Sequence, residues 1–128
     1  MASAFERLDC GEEELLQLLE DEARPVVVAV TVSGAAACAD VEERLAEARR
    51  DLGDGFRLVL LEAVRHRGFL ERNRVASAPA LLGFENGRMV AQHVGSLHVG
   101  DFVHVLGRDQ WGEALRGRGA SAAPPAGA

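Results

Sequence analysis

Apolar residues fall in short blocks along this chain, and the spacing inside each block predicts an element. Leu15, Leu16, Leu18 and Leu19 lie between Glu12-Glu13-Glu14 and Glu20-Asp21-Glu22, which predicts an amphipathic helix with acidic ends. Val26 to Val32 is an unbroken, largely β-branched run, as expected of a strand buried on both faces of an α/β sheet. Val41, Leu45, Ala48 and Leu52 recur at helical spacing with charged residues between them, and Gly53-Asp54-Gly55 ends that helix. Leu58 to Leu61 predicts a second buried strand, and a short helix around Arg67 to Asn73 leads toward Pro79. Ala80 to Phe84 and Met89 to Val94 flank Asn86-Gly87, two residues that tolerate positive φ and so predict a hairpin. Val99, Phe102, Val103 and Leu106 mark a last helix. Together these elements predict an α/β fold, a central mixed sheet flanked by helices, over residues 1–116. Residues 117–128 hold only Gly, Ala, Ser, Pro and Arg118, which predicts a flexible tail.

Composition narrows the class of function. The chain has 128 residues, 48% of them apolar and 27% charged, which suits one globular domain with one core. A net charge of −6 with no basic stripe argues against nucleic acid, because nothing is arranged to neutralise phosphates. All 14 basic residues are arginine, a bias that a GC-rich genome explains more simply than function does. No apolar run is long enough to insert in a membrane. Met1 to Arg7 is short and not apolar and acidic residues follow soon after, so no signal peptide is expected. Two cysteines without a signal do not suggest a disulfide scaffold, and a cytoplasmic setting follows. His66, His93, His98 and His104 form no metal-ligand spacing and read as scattered surface histidines, so no metal is expected. No phosphate-cradling loop, Ser-His-Asp set or nucleotide fingerprint is present, so no cofactor is expected either. The acidic ends of the first helix are a solvated face or a contact for a basic partner.

The chemistry-bearing stretch is Gly34-Ala35-Ala36-Ala37-Cys38, read with Pro79. Pro25 to Val30 runs straight into it, Val41 to Leu52 follows, then Leu58 to Leu61, then Val75-Ala76-Ser77-Ala78-Pro79-Ala80-Leu81-Leu82-Gly83-Phe84-Glu85-Asn86-Gly87-Arg88, and finally Gly95. In this order and spacing, over about residues 5 to 107, the chain resembles the thioredoxin-like superfamily. The resemblance implies the thioredoxin fold, with Pro79 as the family's cis-proline and Gly95 as the glycine after the last strand. It also implies a departure: the family's Cys-x-x-Cys is Ala35-x-x-Cys38 here, with Cys38 at the second, resolving position. On that template Cys38 lies about one turn into a helix and is partly shielded.

Other family features are absent at the matching positions. The buried acid of the central strand falls at Ala29, its lysine neighbour at Leu60, the tryptophan before the first cysteine at Gly34, and the proline between the cysteines at Ala37. A thiolate is the attacking group in disulfide exchange and a second thiol resolves the mixed disulfide. Ala35 cannot attack, and no titratable group is left to relay a proton, so a dithiol disulfide reductase is not expected.

Two classes of function follow from the resemblance. The first is a redox-inactive thioredoxin-like binding module, an adaptor, chaperone or assembly factor holding an extended polypeptide. In the family the residue before the cis-proline presents its backbone to such a peptide. That residue is Ala78, and Ala35, Ala36, Cys38, Pro79 and Gly95 complete a set with small side chains. Redox-silent co-chaperones and hydrogenase-maturation proteins of this superfamily illustrate the class. The second is a monothiol redox protein in which Cys38 forms mixed disulfides or senses oxidants. A subunit of a larger complex, with the acidic helix or Trp111 as contact, is a third. Cys38 also has a plain structural reading, since a buried free cysteine behaves as a small hydrophobe. A Cys10–Cys38 disulfide is left open by the residues alone, although the family's topology gives no reason for one.

Overall fold

A computed structural model describes residues 5–53, 55–95, 99 and 102. In chain order the elements are β1 (Glu6–Leu8), α1 (Glu12–Asp21), β2 (Val26–Thr31), a 3₁₀ turn (Ala36–Cys38), α2 (Val41–Leu52), β3 (Arg57–Glu62), a second 3₁₀ turn (Ala63–Arg65), α3 (Arg67–Arg72), β4 (Ala80–Glu85) and β5 (Arg88–Val94). They build a five-stranded sheet in the order β1-β3-β2-β4-β5. β1, β3 and β2 run parallel, while β4 is antiparallel to β2 and β5 to β4.

The β-branched run of β2 explains this layering. All six of its residues are buried, and alternate side chains point to opposite faces. Val27 and Ala29 join Leu58, Leu60 and Leu81 under Val41, Leu45 and Ala48 of α2. Val26, Val28 and Val30 join Val59, Leu61, Leu82 and Phe84 under Leu15 and Leu19 of α1 and Phe69 and Leu70 of α3. Of the four leucines in α1, the i,i+4 pair Leu15 and Leu19 is fully buried, whereas Leu16 is exposed. One stripe of α1 faces this side of the sheet, and α3 covers the rest.

Val99 and Phe102 have helical backbone, and Val99 is buried on the α2 side of the sheet. The remainder of the expected last helix, Trp111 and the expected tail at 117–128 lie outside the described residues.

Two local features fasten the ends of the sheet. At the hairpin, Asn86 and Gly87 take φ of 53° and 83°, the left-handed pair that a tight turn between twisted strands requires. Gly87 also lies against α1: a Cβ there would stand 2.7 Å from Glu20 Cγ and 3.4 Å from Glu20 Cα. At the starts of the parallel strands, Arg57 makes two 2.7 Å hydrogen bonds to the Glu6 carboxylate and one of 3.1 Å to Glu22. Arg24 adds a 2.9 Å bond to the other Glu22 oxygen. These contacts tie β1, β3 and the end of α1 together. The Arg24 guanidinium, then the Arg24 backbone N–H and Arg57, hold the Glu22 carboxyl down at about 2 against the opposing effect of burial.

Two outcomes follow. Gly87→Ala lowers unfolding stability by roughly 2 kcal/mol in urea denaturation, because an L-residue at positive φ is strained and its Cβ meets Glu20. The Glu22 carboxyl is depressed in the folded state, so its contribution is present above the ordinary value of 4.5 and is lost as pH falls toward about 2. Glu22→Gln therefore costs about 2 kcal/mol at neutral pH, and in urea titrations the gap to the wild type closes as pH falls through that window.

Candidate functional site

β2 delivers the chain to a tight loop at the carboxyl end of the parallel strands. Val32 leaves the strand ladder, and its N–H points at Cys38 Sγ, 3.4 Å away. Gly34 turns the chain at φ 86°, Ala35 N–H donates to Val32 O at 3.1 Å, and Cys38 N–H donates to Ala35 O at 3.0 Å. Cys38 closes the 3₁₀ turn and α2 starts only at Val41, after Asp40 at φ −109° and ψ 16°. The expected placement of Cys38 one turn into a helix is therefore corrected: non-helical Asp40 separates the thiol from α2. The thiol sits before α2 and is buried, with 8% of the residue exposed.

Beneath Cys38 the core is apolar. Ala29 and Leu60 are paired across β2 and β3 and pack in the same cluster as Cys38. Neither of these two paired positions carries a titratable side chain. The second cysteine is no substitute. Both cysteines are free, and Cys10 packs against the opposite face of the sheet, so β2 and β3 stand between the two thiols. The Cys10–Cys38 disulfide left open by the sequence is not formed.

The structure distributes the expected binding residues over two patches. Ala35, Ala36 and Cys38 line an open cavity of about 430 Å³ together with Thr31, Ser33, Gly34, Ala39, Val41 and Glu42. Ala78, Pro79 and Gly95 lie outside its lining. The Ala78–Pro79 peptide is cis, Pro79 is buried, and Gly95 N–H donates to Pro79 O at 2.9 Å. The patches are neighbours: β4 pairs Ala80 with Val30, which carries Ala78 alongside the start of the loop, and Ala35 and Ala78 pack on the same core cluster. Ser96, expected beside Gly95, is outside the described residues.

Two further side chains shape the site, and neither was singled out from the sequence as part of it. Glu62 ends β3 opposite Thr31, and its carboxylate accepts the Ser33 backbone N–H at 2.7 Å and the Ser33 hydroxyl at 2.6 Å. The Ser33 hydroxyl and N–H hold the Glu62 carboxyl below its ordinary value against burial, and Arg7 and Arg65 add to this. Glu62 thus clamps the loop to the sheet as a carboxylate. The only trace in the sequence was a charged residue closing an apolar strand.

His66 is the second such side chain. It corrects the expectation of surface histidines: it is 4% exposed, with Nδ1 3.2 Å from Glu62 O and Nε2 3.2 Å from Cys10 O. The ring is buried between these two backbone carbonyls. His93 is exposed, whereas His98 and His104 lie outside the described residues. Among the described residues no group of three or more His, Cys, Asp or Glu side chains is placed to hold a metal ion, and no helix is long and apolar enough to cross a membrane.

No protein-family model matches the chain, and no curated protein does. Solved structures do match. A thioredoxin from Trypanosoma brucei brucei superposes with a TM-score of 0.66 at 14% identity, covering 75% of this chain and 82% of that one. A chain solved for the thiol resolving mechanism in yeast mitochondrial 1-Cys peroxiredoxin via the glutathione/thioredoxin systems gives 0.66 at 11% identity, covering 79% and 91%. At such identities the likeness speaks for the fold. With its strand order, flanking helices and structural neighbours in agreement, the chain has the thioredoxin fold.

Proposed function

We propose that this chain is a thioredoxin-fold binding module that holds an extended polypeptide without exchanging disulfides with it. The observation that carries this reading is the arrangement at the loop. Ala35 stands where a nucleophile is needed, Cys38 is buried behind it over Ala29 and Leu60, and the other cysteine is across the sheet. Disulfide reduction requires an accessible thiolate and a second thiol within reach. Peptide capture requires only an open surface and backbone groups for β-like pairing. Small side chains at Ala35, Ala36 and Ala78 suit that, with Pro79 and Gly95 fixing the neighbouring backbone. A reducing compartment such as the cytoplasm suits two free thiols on opposite faces.

A monothiol redox protein is the competing reading, and one observation favours it. The Val32 N–H facing Cys38 Sγ is a donor of the kind that a thiolate accepts.

Affinity capture of the tagged protein from its own cells separates the two, with wild type, Cys38→Ser and Ala78→Arg resolved on reducing and non-reducing gels. The binding-module reading expects a stoichiometric partner that Cys38→Ser retains and Ala78→Arg depletes tenfold or more. Partners seen only as reducible adducts, and lost with Cys38→Ser, would instead establish the monothiol reading. A wild type that retains no partner in either form would remove both.

A further inference from the structure

Two charged side chains of α3 are left over by the fold. Arg72 of this helix pairs with Glu12 of α1 at 2.8 Å, and the neighbouring Arg65 pairs with Asp9 at 2.7 Å. Arg67 and Glu71 are exposed, and among the described residues their side chains have no ion pair or hydrogen bond. They stand one turn apart yet do not pair with each other. A cation four residues before an anion is the less favourable order on a helix.

Both flank an apolar depression. With Val64, Leu70, Val75 and Ala76 they line an open cavity of about 330 Å³. Its floor is fixed by the hydrogen bonds that close the helix: Val75 N–H donates to Leu70 O at 2.8 Å, and Arg74 N–H to Glu71 O at 3.0 Å. Leu70 and Val75 are buried, whereas Val64 is 56% exposed, the most of any large hydrophobic residue described. The depression lies on the α3 side of the sheet, away from the Cys38 cavity on the α2 side. One surface thus carries a knob, a hole, a cation and an anion.

We propose that this face pairs with the same face of a second copy of the chain, α3 against α3 in opposite directions about a two-fold axis. In such an interface every contact occurs twice. An axis midway between Arg67 and Glu71 sets Arg67 opposite the partner's Glu71, and Glu71 opposite the partner's Arg67. The same operation carries Val64, at one end of the row, over the partner's Val75 and Ala76 at the other. Another partner would need an anion and a cation of its own at this spacing; a second copy has both by symmetry.

With a net charge of −6 the chain repels its copy at long range, so local complementarity has to hold the pair together. Two reciprocal ion pairs around an apolar centre supply it. The contact is small, one short helix and one exposed valine from each side, so the dimer is weak and reversible. The pairing goes beyond the reading of the Cys38–Pro79 region as a binding site and does not depend on it.

The test is sedimentation equilibrium of the full chain, with no client, over a concentration series that reaches millimolar. The wild type is expected to interconvert between monomer and dimer. Arg67→Glu alone and Glu71→Arg alone each turn two ion pairs into two like-charge contacts and weaken dimerisation about tenfold. An equimolar mixture of these two variants recovers it, because one supplies both anions and the other both cations; a misfolded variant cannot give that recovery. Val64→Ser weakens dimerisation by about tenfold as well. A wild type that is monomeric at every concentration overturns the proposal, as does a dimer indifferent to the charge variants or a mixture that fails to recover. A monomeric chain whose captured partner is depleted by Val64→Ser also overturns it and assigns this face to the client.

Discussion

Burial of β2 on both faces is the constraint on which the rest depends. Six consecutive buried residues cannot be satisfied by one helical layer, so α2 closes one side while α1 and α3 close the other. The same strand takes a parallel neighbour in β3 and an antiparallel one in β4, so every backbone polar group along it has a ladder to join. A strand fixed on four sides is a rigid launching point. The loop at its carboxyl end therefore has a definite position, and the polar contacts at the opposite end, among Glu6, Glu22, Arg24 and Arg57, hold the register from behind.

At that carboxyl end the chemistry differs from what the fold usually supports. Thiol exchange in such a loop needs an exposed sulfur, a second sulfur and a way to move a proton. Here Ala35 replaces the first, the sheet separates the second, and Ala29 paired with Leu60 leaves nothing titratable beneath Cys38. The stabilisation of the loop has moved elsewhere. Glu62 holds Ser33 with two short hydrogen bonds, and the buried imidazole of His66 lies between the Glu62 and Cys10 carbonyls, 3.2 Å from each. The loop is anchored by the Glu62 carboxylate around small side chains.

Much of this fold was legible in the residues, and the exceptions share a cause. Helical spacing with a glycine stop located α2 at Val41–Leu52, and Asn86-Gly87 located the hairpin. These signals are local, and local geometry decides them. β2 was read as running to Val32 but ends at Thr31, because the Val32 N–H turns to Cys38 Sγ, a contact six residues away that hydrophobicity does not register. Glu62 follows the expected strand Leu58–Leu61 and has no sequence signal of its own; the parallel register sets it opposite Thr31, within reach of Ser33. His66 looked like a surface residue because its partners are backbone carbonyls, which carry no side-chain signature. The cis-proline patch and the Cys38 cavity read as one set in sequence and lie as two adjoining patches in space, since strand pairing and not spacing along the chain fixes their relation.

The central claim is that Cys38 is a buried structural thiol in a site that binds without redox chemistry. The most direct measurement is mass spectrometry of the native protein after incubation with oxidised glutathione, with adducts mapped to Cys10 and Cys38 and repeated in urea. The account predicts no glutathione on Cys38 in the native protein and ready modification once it is unfolded. Rapid, stoichiometric glutathionylation of Cys38 in the native state would contradict it and make this a monothiol redox centre.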